Sequence, residues 1–323
     1  MNVDLKTIHK ILVISTTNIG DAILTTPVVA FLREHFPLSH VSVMTGPNAA
    51  PLFIGSRTVD EVFAYDKRMP WFQKLAFVLM LRKRKFDLVI DLRNTAIPVL
   101  IQPRYRNSIV LDRSSISMRQ KHLDQLRFLF SVDAVENKFD FFTEEEQTHA
   151  IEKLPVSSRN NFLLVAPGAG SDLKRWTTAG FAEVINHFFE KGKTIVLGGW
   201  ERESNLGVEL EKMASRPLVN LIGALTLRES AGLIAQASLV IANDSAAMHL
   251  GYELKRPTVS IFGPTDEKKY GQVGVNRRLV RLNLDCTPCE RAQCHLERRM
   301  CLDDLPATSV IQACEELLNH VLY

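Results

Sequence analysis

The fold of this chain is indicated most clearly by the run Leu239-Val240-Ile241-Ala242-Asn243-Asp244-Ser245-Ala246-Ala247-Met248-His249. Its first four residues are apolar and predict a buried strand, and the residues that follow predict a helix capped by Asp244 or Ser245. A strand that leads directly into a helix leaves unpaired backbone N–H groups at the carboxyl edge of the sheet, where the helix dipole adds partial positive charge. Ser245 and His249 are four residues apart and share one helix face. The run therefore predicts a phosphate-binding corner with a hydroxyl and an imidazole beside it.

Strands alternate with helices on both sides of this run. The apolar pattern predicts strands at residues 11–14, 41–44, 62–65, 88–92, 108–111, 162–166, 194–197, 219–221, 239–242 and 257–262. It predicts helices at residues 21–36, 71–85, 144–153, 179–191, 202–214 and 227–235. Pro27 is expected to bend or interrupt the first of these helices. Such alternation indicates parallel sheets with helices on both faces.

A linker-like stretch, Pro155-Val156-Ser157-Ser158-Arg159-Asn160, separates the two halves of the pattern. We therefore predict an α/β fold with two facing Rossmann-like domains, residues 1–155 and 156–323. It is left open whether the last helix packs back on the first domain. Because ligands of such sheets bind beyond the carboxyl ends of the strands, the cleft between the domains is the expected site.

Positive charge is concentrated in one part of the chain, although the net charge of the 323 residues is only +3. Residues 67–127, here called the basic segment, contain 14 Lys and Arg but 4 Asp and Glu, whereas residues 156–323 contain 19 of each. The basic segment is either a solvated face or a surface that meets a polyanion, such as nucleic acid, anionic lipid or a phosphorylated glycan. It contains no recognised nucleic-acid motif, so we expect no nucleic-acid partner.

Two further patterns bear on location and metal binding. No stretch reaches the roughly 18 apolar residues of a membrane span, and residues 1–10 are polar, so we expect a cytoplasmic protein without a secretory signal. The spacing Cys286-x2-Cys289-x4-Cys294-x6-Cys301, with His295 as a spare ligand, is dense enough for a zinc site. It lacks the paired C-x2-C spacing of a zinc ribbon, and reduced structural thiols compete with zinc binding in a cytosolic protein. We assign no metal to the functional site and leave zinc at the cysteines open.

The first chemical motif is Ser15-Thr16-Thr17-Asn18-Ile19-Gly20-Asp21, directly after the first predicted strand. Gly20 allows close approach of the backbone to a ligand, and Asp21 opens the following helix. The competing interpretation is that Asp21 only caps that helix. There is no G-x-G-x-x-G pattern, which disfavours a dinucleotide oxidoreductase.

The second motif is Pro167-Gly168-Ala169-Gly170-Ser171-Asp172-Leu173-Lys174-Arg175-Trp176, after the first strand of the second half. Its small residues allow a ligand to approach the backbone, and Lys174 and Arg175 can neutralise phosphate. The alternative is an ordinary strand-to-helix turn with an exposed lysine. The third motif is the opening run together with Phe262-Gly263-Pro264-Thr265-Asp266, which follows the next strand. The competing interpretation of His249 is a packing histidine, which its position one turn below the phosphate corner disfavours.

Together, and in this order, the three motifs resemble the bacterial ADP-heptose:lipopolysaccharide heptosyltransferases, glycosyltransferase family 9. The resemblance spans about residues 10–315. It implies a two-domain glycosyltransferase-B fold, with acceptor binding in residues 1–155 and nucleotide-sugar binding in residues 156–323. The implied reaction is an inverting transfer of heptose from ADP-heptose to a hydroxyl of the lipopolysaccharide inner core, without metal or cofactor.

Residues are carried over from the resemblance position by position. Asp21 matches the catalytic aspartate, and Lys174 matches the lysine that contacts the donor phosphates. The implied donor-binding residues are Ala169, Gly170, Glu201, Leu225, Asp244, Ser245, Ala246 and His249. Glu201 is matched to an acidic ribose-binding residue, and the backbone near Leu225 is expected to face the adenine.

The basic segment gains a candidate partner from the same resemblance, because the implied acceptor is an anionic glycolipid. The expected acceptor-binding residues are Asn18, Arg93, Arg104, Arg106 and Lys121. The helix over residues 71–85 offers Trp71, Phe72, Leu75, Phe77, Val78 and Leu79 for peripheral contact with the inner face of the cytoplasmic membrane. Plain core packing is the competing interpretation of that helix.

The chain departs from the family pattern at three positions. Ala246 stands where the family usually has glycine, Glu267 where it has proline after Gly-Pro-Thr-Asp, and Thr177 where it has proline after the tryptophan. None of these changes removes a catalytic group, but the extra methyl of Ala246 crowds the phosphate approach. The alternatives are therefore a glycosyltransferase-B enzyme with another nucleotide sugar, or a nucleotide-sugar-binding protein without turnover. The presence of both Asp21 and Lys174 argues against the second.

Overall fold

The chain divides into two compact units, Met1–Phe141 and Phe142–Tyr323. The computed structural model describes residues 5–107, 116–130, 132, 135–272 and 274–320, so the strand predicted at residues 108–111 lies outside the described residues. The division comes before the predicted boundary at residue 155, and the helix Glu144–Glu152 consequently belongs to the second unit. Its Glu146 receives a hydrogen bond of 2.8 Å from Arg228 of that unit.

The first unit contains one parallel sheet. Its strands are β1 (Lys10–Ile14), β2 (His40–Thr45), β3 (Glu61–Ala64), β4 (Leu88–Asp91) and β5 (Tyr105–Arg106). Its helices are α1 (Ile19–Ile23), α2 (Thr26–His35), α3 (Ala50–Phe53), α4 (Trp71–Lys83), α5 (Ile97–Ile101) and α6 (Met118–Asp124), with a 3-10 turn at Leu5–Thr7. The strand order is β3-β2-β1-β4-β5. Because the order reverses between β1 and β4, a crevice is expected where the loops after these two strands diverge.

The second unit contains a second parallel sheet. Its strands are β6 (Phe162–Ala166), β7 (Thr194–Leu197), β8 (Val219–Asn220), β9 (Leu239–Asn243), β10 (Thr258–Ile261) and β11 (Arg277–Val280). Its helices are α7 (Glu144–Glu152), α8 (Thr178–Glu190), α9 (Ser204–Met213), α10 (Leu227–Gln236), α11 (Ala246–Glu253), α12 (Glu267–Tyr270), α13 (Met300–Asp303) and α14 (Ala307–His320). Three 3-10 turns lie at Val156–Ser158, Asp172–Lys174 and Glu201–Glu203. The order β11-β10-β9-β6-β7-β8 reverses between β6 and β9.

These two sheets confirm the predicted α/β class, and the differences from prediction have local causes. The helix predicted at residues 21–36 is two helices, because Pro27 lies in the first turn of α2. Backbone N–H groups in a first turn form no hydrogen bond within the helix, so proline is tolerated at this position. The edge strand β11 was not predicted, since Arg277 and Arg278 hide its apolar pattern. The last helix, α14, contributes Val310, Cys314 and Leu317 to the core of the second unit.

The central strands are completely buried, as expected of parallel strands covered by helices on both faces. All five residues of β6 and all five of β9 are buried. Among the described residues, no helix is both long and apolar enough to cross a membrane.

Candidate active site

The reversal of strand order in the second unit brings two of the predicted motifs together. β6 and β9 pair in parallel, with Ala166 opposite Ala242, so the loops that follow them start side by side. Asn243 is fully buried at the end of β9 and joins these loops. Its Oδ1 accepts a 3.0 Å hydrogen bond from the Trp176 N–H, and its Nδ2 donates to the carbonyl of Pro167 at 2.8 Å. The amide side chain of Asn243 thus fixes the path of the loop that carries Lys174.

An ion pair forms where the two loops meet. Lys174 Nζ lies 2.7 Å from Asp244 Oδ2, and the side chains are 34% and 4% exposed, respectively. Arg175 pairs instead with Asp172 at 2.6 Å, and Arg299 donates to the backbone carbonyl of Arg175 at 2.8 Å. Lys174 therefore is the cation of this loop that points to the motif after β9, while Arg175 helps to hold the loop in place.

Tyr270 belongs to the same cluster, although the sequence motifs did not identify it. The Lys174 ammonium lies 5.5 Å from the centroid of the Tyr270 ring, a cation–π distance. The ring centroids of His249 and Tyr270 are 6.4 Å apart in an edge-to-face arrangement. Tyr270 ends the short helix α12, and the only sequence signal for it was an aromatic residue shortly after Gly263-Pro264-Thr265-Asp266.

The start of α11 has no side-chain cap. Ser245 occupies the N-cap position with an extended backbone (φ −151°, ψ 176°), but its side chain does not cap the helix. Its Oγ is buried and has no hydrogen-bond partner among the described residues. The first N–H groups of a helix have no intrahelical partners and carry partial positive charge. Ser245 Oγ and these N–H groups can therefore bind an anion such as a phosphate.

A buried carboxylate lies beside the same loops, two residues after the predicted Glu201. The Glu201 side chain is exposed, whereas Glu203 is only 7% exposed. A Cβ at Gly168 would lie 2.1 Å from the Glu203 carboxyl carbon, so Gly168 is the residue that lets the loop pass this acid. Burial raises the pKa of Glu203, and the Trp200 N–H together with Arg202 and Arg175 only partly opposes the rise. The sequence missed Glu203 because its burial depends on the loop after β6.

Glu203→Gln should change how stability depends on pH. A carboxyl whose pKa is raised in the folded state stabilises the fold fully below its unfolded-state pKa and loses that contribution as pH rises through the folded-state value. As pH falls from about 8 to 4, the free energy of unfolding of the wild type should therefore rise relative to that of Glu203→Gln. Urea unfolding across this range measures the difference. Glu201→Gln, which makes the same change at an exposed position of the same turn, is the matched control. A stability difference between wild type and Glu203→Gln that stays constant across this pH range would contradict the prediction.

A tryptophan anchors the Lys174 loop to the core. Trp176 is buried, and its indole N–H donates to the carbonyl of Leu305 at 3.2 Å. A Cβ at Gly180 would lie 2.3 Å from the indole ring. Thr177, the departure from the family's proline, caps α8 by accepting a 3.1 Å hydrogen bond from the Gly180 N–H. The departure therefore replaces one way of starting the helix with another.

Gly180→Ala should destabilise the second unit because it forces the indole of Trp176 to move. Overpacking of this kind costs about 1–3 kcal/mol of unfolding free energy. Gly170→Ala is the matched substitution, since a Cβ at Gly170 meets no atom within 4 Å. Thermal or urea unfolding compares the two, and equal stability would show that Trp176 is not tightly held.

The remaining predicted donor-binding residues lie at the same edge of the second sheet. Ala169 and Gly170 precede Lys174 in the loop after β6, and Ala246 is the first residue of α11. Leu225 follows β8 in a loop whose Gly223 N–H donates to the Gly199 carbonyl at 3.0 Å. Glu267, the second departure from the family pattern, forms an ion pair with Arg281.

In the first unit, Asp21 and Asn18 lie directly after β1. Asn18 is the N-cap residue of α1, so that helix begins before Asp21, which stands in its first turn. Asn18 Nδ2 donates to Asp21 Oδ2 at 3.2 Å. Gly46, after β2, packs against this loop, and a Cβ there would lie 2.8 Å from Thr17. The carboxylate of Asp21 is thus held at the carboxyl edge by a side chain of its own motif.

The predicted acceptor-binding residues do not all lie at one place. Arg93 follows β4, the strand next to β1, and therefore lies at the same edge as Asp21. Arg104 precedes β5, and its guanidinium donates to the Thr7 hydroxyl at 2.8 Å, which places it at the amino edge of the sheet. Arg106 is exposed at the end of β5, and Lys121 lies in α6. Sequence position alone did not distinguish the two edges of the sheet.

The five cysteine thiols are free. Burial raises the pKa of Cys301, and the thiols of Cys286, Cys289 and Cys294 raise it further. In the part of the chain that the structure describes, no group of three or more His, Cys, Asp or Glu side chains is arranged to hold a metal ion.

Known proteins resemble this chain along nearly its whole length. The model of glycosyltransferase family 9 (heptosyltransferase) matches residues 75–299. Lipooligosaccharide heptosyltransferase 2 of Campylobacter jejuni is 26% identical, over 95% of this chain and 99% of that protein. The structure of Escherichia coli ADP-heptose lipopolysaccharide heptosyltransferase II superposes with a TM-score of 0.79 at 21% identity, over 97% of this chain and 100% of that one. Escherichia coli heptosyltransferase WaaC with ADP gives a TM-score of 0.71 at 19% identity, over 95% and 99% of the two chains. These structures confirm the predicted glycosyltransferase-B architecture of two Rossmann-like domains.

Proposed function

Because this chain belongs to glycosyltransferase family 9, the heptosyltransferases, we propose that it transfers heptose from ADP-heptose to a hydroxyl of the lipopolysaccharide inner core. The observation that carries the proposal is the ion pair of Lys174 and Asp244 beside the uncapped start of α11. This corner combines a cation, free N–H groups and a buried hydroxyl, which together suit a nucleotide diphosphate. The C. jejuni relative is named a lipooligosaccharide heptosyltransferase, and the E. coli WaaC structure contains ADP, which supports this donor and acceptor.

We assign the donor to the second unit. Lys174, Ser245 Oγ and the first N–H groups of α11, which begins at Ala246, bind the diphosphate, while Ala169 and Gly170 leave room for it. Asp244 orients Lys174 and accepts hydrogen bonds from sugar hydroxyls. His249 and Tyr270 form the wall behind the diphosphate.

We assign the nucleoside to the loops after β7 and β8. We propose Glu203, rather than the predicted Glu201, as the acid that binds the ribose, because Glu203 is buried beside Gly168 whereas Glu201 is exposed. A carboxyl group in this position can bind the ribose hydroxyls when the nucleotide excludes water from it. The backbone around Leu225 then faces the adenine.

The proposed reaction is a direct displacement with inversion. The acceptor oxygen bonds to the anomeric carbon while the bond from that carbon to the β-phosphate oxygen breaks, and ADP leaves with the electron pair. Asp21 accepts the proton of the acceptor hydroxyl. The negative charge that develops on the leaving diphosphate is stabilised by Lys174 and the α11 N–H groups, so that these residues supply the positive charge that the step needs.

We assign the acceptor to the first unit. Arg93, Arg106 and Lys121 supply positive charge for its anionic groups, and Asn18 holds Asp21 in position. Arg104 is omitted, because its guanidinium is at the opposite edge of the sheet. An acceptor of this class is a membrane glycolipid, so the enzyme would work at the cytoplasmic face of the membrane.

Release of ADP from ADP-heptose, with and without lipopolysaccharide from a heptose-deficient strain, tests the proposal. Release that depends on the acceptor supports it, and mass spectrometry of the product should show one added heptose. A second nucleotide sugar, such as a UDP-hexose, serves as the control for donor identity. If ADP binds but no donor supports release with this acceptor, the proposed reaction is wrong and a binding protein without turnover becomes the better account.

A further inference from the structure

Helix α4 leaves most of its apolar side chains in solvent. Among its residues Leu81 is fully buried, whereas Trp71 is 76% exposed, and Phe72, Leu75 and Leu79 are about half exposed. Phe77 and Val78 pack against the core of the first unit. Core packing therefore explains only one side of this helix. Val99 and Leu100 of α5 are also half exposed, so the apolar surface continues onto the neighbouring helix.

An open cavity of about 530 Å³ is lined in part by these exposed side chains. Its apolar wall includes Leu75, Val78 and Leu79 of α4 and Ile97 and Leu100 of α5. The volume lies in the range of roughly 300–1,000 Å³ typical of small-molecule sites in proteins. The first unit thus has an apolar cavity that opens between two exposed apolar helix faces.

The other lining residues give the cavity a positive charge. Lys67, Lys74, Arg82 and Arg93 line it, and none of its lining residues is acidic. Arg82 donates to Gln102 Oε1 at 2.7 Å, but Arg93 Nη1 is buried without a hydrogen-bond partner among the described residues. A buried guanidinium N–H without a partner is costly, which points to an anion that binds there.

We propose that this cavity binds one anionic membrane lipid, with an acyl chain between α4 and α5 and the headgroup phosphate on Arg93, Lys67 and Lys74. An apolar wall alone would suit any hydrophobic partner, and a cationic surface alone would suit any soluble anion. Their combination in one cavity suits a molecule that has both a phosphate and an acyl chain. The exposed aromatic and leucine side chains of α4 are suited to the membrane interface. The inference deepens the proposed function, since it gives the acceptor side of the enzyme a position on the membrane, and it rests on that function only for its biological purpose.

Monoalkyl phosphates below their micellar concentrations test the cavity by calorimetry. Octyl phosphate should bind, whereas inorganic phosphate and octyl glucoside, which have only the headgroup charge or only the tail, should bind much more weakly. Lengthening the chain from hexyl to octyl should tighten binding by up to about fourfold per buried methylene. If octyl phosphate binds no more tightly than inorganic phosphate, the cavity does not take a chain and the proposal is overturned.

Substitutions locate the binding and separate it from general charge. Leu79→Gln should weaken octyl phosphate more than inorganic phosphate, and Arg93→Gln should remove the preference for octyl phosphate over octyl glucoside. Leu38→Gln, at a 98% exposed position of the same unit, is the control and should change neither. Circular dichroism melting checks that each variant is folded, and Leu100→Gln on the opposite wall replaces Leu79→Gln if the latter is not.

Co-sedimentation with vesicles tests whether the ligand is a membrane lipid. Vesicles of phosphatidylcholine with phosphatidylglycerol should bind the wild-type protein and Leu38→Gln but not Leu79→Gln, and vesicles of phosphatidylcholine alone should bind none of them. Equal binding of Leu38→Gln and Leu79→Gln would show that surface charge, rather than the cavity, holds the protein, and would overturn the proposal. No nucleotide sugar is present in these assays, so their outcome is independent of heptose transfer.

Discussion

Asp21→Asn should lower kcat for heptose transfer by about 10²–10⁴-fold, the usual contribution of a general base. The amide keeps the size of the side chain and can still bond Asn18, but it cannot accept the proton of the acceptor hydroxyl. The KM for the donor and the affinity for ADP should stay nearly unchanged, because the donor residues lie in the second unit. Steady-state ADP release with a saturating acceptor measures kcat, and calorimetry measures ADP binding.

The control for Asp21→Asn is Glu34→Gln, which makes the same chemical change at an exposed acid of α2 and should leave kcat unchanged. If Asp21→Asn keeps at least a third of wild-type kcat, Asp21 is not the base and only helps to start α1.

Lys174→Met should lower kcat/KM by about 10²–10³-fold and weaken ADP binding, because it removes a charged donor from the leaving diphosphate. The substitution also leaves the carboxylate of Asp244, whose side chain is 4% exposed, without its cation. An unpaired buried group of this kind costs about 1–3 kcal/mol, and the partial exposure of Lys174 favours the lower part of that range. Activity and stability should therefore both fall.

A double substitution separates these two effects of Lys174. Lys174→Met with Asp244→Asn removes the unpaired charge, so the free energy of unfolding should recover toward the wild-type value while activity stays low. Lys212→Met, at an exposed position in α9, is the control and should change neither quantity. Recovery of activity in the double variant would show that Lys174 acts only by neutralising Asp244, which would contradict its assignment to the diphosphate.

The local signals were sufficient for most of the secondary structure. The strands predicted at residues 162–166 and 194–197 are β6 and β7 with the same bounds, because fully buried parallel strands are short apolar runs between polar turns. Pro27 correctly marked a break, although the pattern could not say whether the helix would bend or end there. β11 was missed, since an edge strand can carry exposed arginines and still pair through its backbone.

The pattern of apolar strands and polar loops was enough to predict which loops contain the candidate site residues. The segments that follow apolar strands contain small residues together with Asp21, Lys174 or Asp244. The carboxyl ends of parallel strands lie at one edge of a sheet, so these segments share that edge. This local rule was enough to predict the α/β class, whereas the family was inferred from the resemblance of the three motifs. The rule was not applied to residues that precede a strand, which lie at the opposite, amino edge. Arg104, which precedes β5, was therefore grouped with Arg93, which follows β4.

Which of these side chains contact one another depends on the order of the strands in the folded sheets. Lys174 and Asp244 are 70 residues apart, and they pair because β6 and β9 are neighbours in the second sheet. Packing between separate segments likewise determines that Glu203 rather than Glu201 is buried, that Tyr270 lies beside Lys174, and that a cavity forms between α4 and α5. Hydrophobic periodicity and turn residues report only on the conformation of a few neighbouring residues. Strand order and side-chain burial depend instead on contacts between residues that are far apart in the sequence.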